Sequence, residues 1–248
     1  MLISGDLGGR SDMTTRKFVQ GLIVTVALCL SATAGRAQDT SFFVMGGGSS
    51  LIDKRSFTEA FIPYRTNYAT GAKVTVGIEM PLKKSKIFGF EGTYGIGDNN
   101  LRLINANYTY LPFRGYDTRN NRVSADIIAR APFVYHGGHP YAVVGVEVDR
   151  FSPLSSAVSL GDRVGFAYEP VARLVGQNNG GVNFGGGMDW KLTSKVGLRM
   201  DVRDHVTGSP TLGLPTVQPA TAGLPWFPIH GIAHAIEYSI GIVYKFGK

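Results

Sequence analysis

The sequence predicts an all-β protein, an eight-stranded antiparallel transmembrane β-barrel that follows a signal peptide. Three observations predict this fold. Eight segments alternate apolar with polar residues, the links between them are alternately short and long, and glycine and charged residues dominate the polar side. Successive strand side chains point to opposite faces, so each segment presents one apolar and one polar face.

The N-terminus has the pattern of an export leader. Arg16 and Lys17 precede an apolar run at 22–30, and small residues follow it. A basic start, a short apolar core and small residues before the cleavage site are typical of secretory signal peptides. We therefore expect residues 1–37 to be a signal peptide cleaved after Ala37, or alternatively after Ala34, with Met13 as a possible true start.

Residues 38–248 are predicted to form one barrel domain. The only cysteine, Cys29, lies in the leader, so we expect no disulfide in the exported part. The leader carries four basic residues and one acidic residue, so the net charge of +7 falls to +4 on cleavage. Such a mild excess requires no nucleic-acid partner. Contact with outer-membrane lipids accounts for it equally well.

The first of the eight alternating segments is ambiguous, and the second is the clearest. In the second segment, Val74 and Val76 on one face oppose Lys73 and Thr75 on the other. An even number of antiparallel strands suits a closed barrel, which leaves no exposed edge. The segments are 40–52, 68–80, 87–97, 123–133, 140–150, 181–190, 196–204 and 235–248.

The links distinguish the two ends of the barrel. Three links are short and polar, at 81–86, 134–139 and 191–195, whereas four are long, at 53–67, 98–121, 151–180 and 205–233. Short periplasmic turns and long external loops are typical of outer-membrane barrels. Residues 101–113 also alternate, so they could prolong the barrel above the membrane, form a hairpin in their loop, or add a strand.

The composition of the two faces favours a membrane barrel over a soluble, lipocalin-like one. Glycine is frequent on the polar face, as at Gly77 and Gly95, where a narrow curved interior needs close approach. Aromatic residues lie near the strand ends of the apolar face, as in the aromatic bands at membrane interfaces. The predicted interface aromatics are Tyr68, Phe88, Phe133 and Trp190.

With these features, the chain resembles the small outer-membrane β-barrel superfamily, the OmpA-like and opacity-type eight-stranded proteins. The residues that carry the resemblance most sharply are Ser239, Gly241, Tyr244 and Phe246. Their spacing is similar to the C-terminal signal that such proteins present to the barrel-assembly machinery. The family usually stops at the final aromatic, whereas Gly247 and Lys248 follow here. No periplasmic peptidoglycan-binding domain is expected.

The polar face predicts a network of charges inside the barrel, because a charge in a narrow interior must be paired or hydrated. Its densest part is Arg199-x-Asp201-x-Arg203. We expect these pairs to fill the lumen, and rearranged pairs would alternatively make a narrow gated pore. The predicted network comprises Lys73, Glu91, Asp126, Arg130, Glu147, Asp149, Arg199, Asp201, Arg203 and Glu237, with Glu79, Asp189 and Lys245 on the same face.

The sequence predicts no catalytic, cofactor or metal-binding residue. We therefore expect a non-enzymatic protein with a structural, surface-contact or adhesive, or minor permeability role, whose long loops could meet a surface partner. The alternative is a barrel enzyme acting on lipid A or phospholipid, for which His205 and His234 are the candidates near the external rim. His136 and His139 fall in a short periplasmic turn.

Overall fold

A computed structural model describes residues 40–52, 55–59, 62–68, 70–82, 85, 87–99, 101–105, 112–154, 175–213 and 231–246. The predicted leader, including Met13, and the final Gly247 and Lys248 lie outside these ranges. Nothing in the structure therefore tests the leader. No helix in the described ranges is long and apolar enough to span a membrane.

In the described ranges, twelve strands form two sheets. The strands are β1 Ser41–Ile52, β2 Arg55–Glu59, β3 Ile62–Tyr68, β4 Gly71–Pro81, β5 Phe88–Asp98, β6 Leu101–Asn105, β7 Pro112–Tyr116, β8 Thr118–Arg130, β9 Gly138–Pro153, β10 Gln177–Lys191, β11 Val196–Gly208 and β12 Ile232–Lys245. Eight of them close an antiparallel barrel in the order β1-β12-β11-β10-β9-β8-β5-β4. The predicted fold class is confirmed.

The chain ends and the short turns share one end of the barrel. Ser41 at the start of β1 lies opposite Lys245 on β12 and Glu79 on β4. The turn between β8 and β9 is tight, since Tyr135 and Gly138 exchange backbone hydrogen bonds of 2.8 and 2.9 Å. The end with the short turns is the periplasmic end, and the long links lie at the external end.

The alternation predicted for the barrel strands gives a wall with an apolar outside. Val146 on β9 is 62% exposed and Val74 on β4 is 49% exposed, whereas Lys73, adjacent to Val74, is 4% exposed. Contact with water is unfavourable for such an apolar surface, whereas contact with lipid is favourable. Closed barrels with an outward apolar band are the structures that span bacterial outer membranes, and the chain is a barrel of that kind.

The second sheet prolongs half of the barrel wall beyond its external end. Its order, β2-β3-β6-β7, follows that of the adjoining barrel strands β1-β4-β5-β8. Arg119 on β8 is paired with Asp98 on β5. Three residues away from each of them along the chain, Tyr116 on β7 is paired with Leu101 on β6. The two described strands of this segment, β6 and β7, therefore pair with each other and continue the wall, and the barrel itself keeps eight strands.

The strand ends differ from the predicted ones because the wall extends past the apolar band, where the contrast between faces fades. β8 begins at Thr118 rather than 123, and β11 runs to Gly208 rather than 204. Conversely, the second barrel strand begins at Gly71, so Tyr68 belongs to β3 in the external sheet. Phe133 lies beyond the end of β8, in the periplasmic turn, where it is 59% exposed.

The lumen near the periplasmic end is partly apolar, which the sequence did not predict. Phe43, Met45 and Val243 form a buried cluster inside the barrel. Gly77 faces the Phe43 ring, where a Cβ atom on residue 77 would overlap the ring. Glycine therefore makes room for an inward aromatic side chain in this layer, because a packed interior tolerates no overlap.

Candidate functional site

The candidate site is the charged lumen, which the alternation of the barrel strands assembles from residues far apart in the chain. Each inward position brings a side chain to the axis, and seven of the eight barrel strands contribute an ionisable one. The lumen ion pairs of the described residues fall into two groups, which we name the periplasmic-side cluster, around Arg199 and Arg203, and the external-side cluster, around Arg122. No ion pair among the described residues joins the two clusters.

The periplasmic-side cluster is built around Arg199, which is fully buried. Its guanidinium donates to Glu91 at 2.8 Å, to Glu79 at 2.7 Å and to both oxygens of Asp189 at 2.7 and 3.0 Å. The same group lies 4.7 Å from the centroid of the Phe43 ring. One arginine therefore ties β11 to β4, β5 and β10 and packs on the apolar layer.

Arg203, four residues after Arg199 on β11, also belongs to the periplasmic-side cluster. It binds several carboxylates in the same way, closer to the external end. It donates to Glu91 at 2.6 Å, to Asp126 at 3.0 Å and to Asp201 at 2.8 Å. The hydroxyl of Tyr141 donates to Asp201 at 2.5 Å. Glu91 thus lies between two arginines, and the charges alternate along the barrel axis.

Arg130 and Lys245 mark the periplasmic limit of the lumen. The Arg130 guanidinium contacts Glu79 at 2.5 Å and Asp189 at 2.6 Å, with its side chain 25% exposed. Lys245, which the alternation placed on the lumen face, is exposed instead. It is the last residue of β12, where the wall ends and the side chain reaches solvent.

The external-side cluster is built around Arg122, which is 2% exposed. Its guanidinium donates to both oxygens of Asp149, at 2.7 and 2.9 Å, and to Glu237 at 2.9 Å. Lys73 lies 2.7 Å from the same oxygen of Glu237. These contacts connect β8 with β9, β12 and β4 across the full width of the lumen.

His205 completes the external-side cluster. Its Nδ1 atom lies 2.6 Å from Oε2 of Glu147, and its Nε2 atom lies 3.4 Å from Oε2 of Glu237. A cavity of about 10 Å³ adjoins Lys73, Arg203, His205 and Glu237. This is room for about one water molecule, so the described side chains nearly fill the lumen at this level of the barrel.

Comparison with solved structures identifies the architecture. OprG from Pseudomonas aeruginosa matches with a TM-score of 0.52 and 14% identity, over 85% of this chain and 98% of that one. The chain has the fold of the small outer-membrane β-barrels. A further match is AlkL in lipid bilayers, with a TM-score of 0.49 and 11% identity over 85% of this chain and 92% of that one. Neisserial surface protein A matches with a TM-score of 0.43 and 14% identity over 83% of this chain and 97% of that one.

No protein-family model matches this outer-membrane barrel, and no curated protein matches its sequence. Within the described ranges, no group of three or more His, Cys, Asp or Glu residues is arranged to hold a metal ion. Most of the described lumen carboxylates pair with arginine or lysine, whereas the shortest contact of Glu147 is with His205.

Two members of the lumen network were missed by sequence reasoning, Arg122 and His205. Arg122 lies just before the predicted strand 123–133 and His205 lies in the predicted long link 205–233, although both continue the inward alternation of their strands. Continuing the period of two, four residues back from Asp126 and two residues forward from Arg203, would have found them. Tyr141 and Asn183 lay on the predicted polar face, but nothing in the sequence indicated their partners, Asp201 and Asp126.

The C-terminal signal residues lie along β12 of the barrel. Gly241 is opposite Met45 on β1, and a Cβ atom on residue 241 would approach the Met45 Cα to 2.6 Å. Tyr244 and Phe246 are exposed at the periplasmic end, with their rings edge to face at 5.2 Å. Ser239 points inward and donates to the sulfur of Met45 at 3.6 Å.

The aromatic residues predicted at the membrane interfaces lie at different places. Phe88 opens β5 at the periplasmic end and is 47% exposed. Trp190 is half-buried near the same end of β10. Phe133 belongs to the neighbouring turn, and the Tyr68 side chain lies outside the described part of the structure.

Proposed function

We propose that the protein is a non-enzymatic outer-membrane barrel that presents a surface-contact sheet to the exterior. The observation that carries this proposal is the four-stranded sheet β2-β3-β6-β7 above a filled lumen. A lumen crowded with buried ion pairs offers little space for solute passage. The external extension is then the part of the molecule available to a partner, as is usual for loops on a rigid scaffold.

The charges of the external sheet favour an acidic partner. Its four strands contain four arginines and one acid, namely Arg55, Arg65, Arg102, Arg114 and Glu59. By register, Asn67 lies opposite Arg102, so Arg65 and Arg102 occupy diagonal positions on one face of neighbouring strands. Such positions are close enough for long side chains to contact the same ligand.

Binding of a polyanion tests this proposal. The protein in lipid nanodiscs is exposed to immobilised dextran sulfate, and binding is followed by biolayer interferometry at low and high salt. We expect R65Q/R102Q to weaken binding by about tenfold at low salt, since two ion pairs with the ligand are worth about 1 kcal/mol or less each. High salt should reduce the difference, because it screens exposed charges.

A matched control removes two charges at the other end of the molecule. Lys191 and Lys195 are exposed at the periplasmic end, and K191Q/K195Q has the same net charge as R65Q/R102Q. Equal binding by the two variants would contradict a contact site on the external sheet. Equal affinity of wild type and R65Q/R102Q would contradict it as well.

The alternative of a lipid-modifying enzyme receives little support from the two candidate histidines. His205 is buried in the lumen at 4% exposure, whereas His234 is exposed on the outer face with its Nδ1 atom 2.8 Å from Asp204. A hydrolase needs a nucleophile and a base within hydrogen-bond reach of each other. Released fatty acid from lipopolysaccharide, lost in H234A, would establish the enzyme and overturn our proposal.

The barrel-assembly machinery is the partner we propose during biogenesis. The exposed pair of Tyr244 and Phe246 at the end of β12 supports this role. We expect F246A to lower the amount of protein in the outer membrane of cells, while refolding into lipid vesicles in vitro is unchanged. Equal amounts in cells would contradict the assignment.

A further inference from the structure

His205 has an unusual set of neighbours for a buried histidine, because both ring nitrogens face carboxylate oxygens. Nδ1 lies 2.6 Å from Glu147, and Nε2 lies 3.4 Å from Glu237. An ionised carboxylate only accepts hydrogen bonds, and a neutral imidazole has one donor. With both carboxylates ionised and the imidazole neutral, one ring nitrogen would direct its lone pair at an acceptor.

The net charge of the external-side cluster also indicates that a proton is missing from this set of charges. Its described acids are Glu147, Asp149 and Glu237, whereas Lys73 and Arg122 are its cations. Without a further proton these described side chains carry one negative charge in excess, and each of them is less than a tenth exposed. Burying an uncompensated charge is expensive, and one additional proton makes the cluster neutral.

Strands on every side of His205 contribute to its surroundings. Glu147 and Asp149 face it from β9, Glu237 from β12, Lys73 from β4 and Arg122 from β8. From β10, Asn183 contributes an uncharged amide that donates to Asp126 on β8. On β11 itself, Arg203 and Asp201 pair with each other at 2.8 Å. The cations oppose a lone imidazolium, but they do not oppose a proton shared with a carboxylate.

We propose that the external-side cluster is a proton-binding site in which His205 and Glu147 jointly hold one proton. The proton lies between Nδ1 and Oε2, either on the imidazole beside an ionised carboxylate or on the carboxyl beside a neutral imidazole. In both forms Nε2 carries a hydrogen that points toward Glu237. The bound proton therefore lies in the short contact between Nδ1 and Glu147 and neutralises the cluster, while Nε2 makes no hydrogen bond within the described part of the chain.

This site predicts that the free energy of unfolding decreases as the pH rises. Free histidine and glutamate have released most of these protons above about pH 7. The native barrel then binds one proton more than the unfolded chain, so stability decreases with rising pH. One proton corresponds to about a tenfold rise in the unfolding equilibrium constant for each pH unit. This dependence is present until the native site itself loses its proton.

The first test compares the unfolding of wild type and E147Q in urea, from lipid vesicles, between pH 7 and 9. Glutamine preserves the shape of the side chain and removes its charge, so the cluster is neutral without the extra proton. We expect the tenfold-per-unit dependence of wild type to be absent in E147Q and retained in H234Q. His234 is a matched control because it pairs with Asp204 on the outer face of β12 and β11, next to His205 on β11. Equal pH dependence of wild type and E147Q would overturn the proposal.

The second test observes the proton directly in the unaltered protein. Histidine labelled with ¹⁵N gives separate nitrogen resonances for protonated and unprotonated ring nitrogens, and H205Q identifies the signals of His205. We expect Nε2 of His205 to carry a hydrogen at pH 7.5. An unprotonated Nε2 at this pH would overturn the proposal, whatever the behaviour of E147Q.

Discussion

Replacement of Arg199 is the sharpest test of the lumen network. R199Q removes the cation that binds Glu79, Glu91 and Asp189 and leaves these buried carboxylates without it. Charged hydrogen bonds are worth about 1.5–3 kcal/mol each, but bonds that share one guanidinium are not additive. The better guide is the loss of one member of a buried ion pair, about 3–5 kcal/mol, and we expect a destabilisation of this size.

The assay is equilibrium unfolding of the refolded protein from lipid vesicles in urea, followed by tryptophan fluorescence. R119Q is the control, since Arg119 pairs with Asp98 at 3.5 Å with its side chain 45% exposed, and its loss should cost less than about 1 kcal/mol. In R199Q the lumen has lost one cation, although Glu91 still pairs with Arg203. In R199Q/E91Q, removal of one carboxylate in excess should restore about 1–2 kcal/mol. If R199Q and R119Q were equally stable, Arg199 would not hold the lumen together and our reasoning would be refuted.

Three further predictions concern the turn, the packing and the lipid face, and the same unfolding assay checks each. His136 has a φ of 45° and precedes Gly137 in a two-residue turn. Asparagine suits this conformation, so H136N should raise the free energy of unfolding by up to about 1 kcal/mol. A lower free energy of unfolding in H136N would contradict the turn assignment. G77V should lower the free energy of unfolding by about 1–3 kcal/mol, because Gly77 faces the Phe43 ring. G92A should lower it by less, because no atom lies within 4 Å of the added Cβ. Equal effects of the two variants would contradict the inward packing of Phe43. V146R should cost about 2–4 kcal/mol if that position faces lipid, and V146L should be neutral.

The eight barrel strands could be predicted because their alternation has a direct physical cause. Val74 must face lipid and Lys73 must avoid it, and a strand satisfies both demands only with period two. The lengths of the links then indicated which end is periplasmic. Each of these signals is local, so each could be recognised within a short segment of the sequence.

The partners within the lumen could not be predicted, because they depend on the stagger of the strands and on distances across the barrel. Lys73 and Glu237 are 164 positions apart in the chain and lie 2.7 Å apart in space. Arg122 was overlooked because its strand begins above the apolar band, where alternation no longer separates lipid from lumen. Phe43 was overlooked because its inward position depends on the missing side chain of Gly77.

The external sheet was anticipated in part. The alternation at 101–113 indicated a hairpin or a prolonged wall, and the structure combines both. Its pairing with β3 depends on a register between two separate links, which no local pattern specifies. Neither the sheet order nor the position of Tyr68 could therefore be derived from either segment alone.

Conductance across a planar lipid bilayer tests the central claim, a transmembrane barrel whose lumen is closed by buried ion pairs. The refolded protein is first checked for insertion by its different mobility on unboiled and boiled denaturing gels. We then predict no steady open conductance for wild type at neutral pH. A steady open channel would contradict the account.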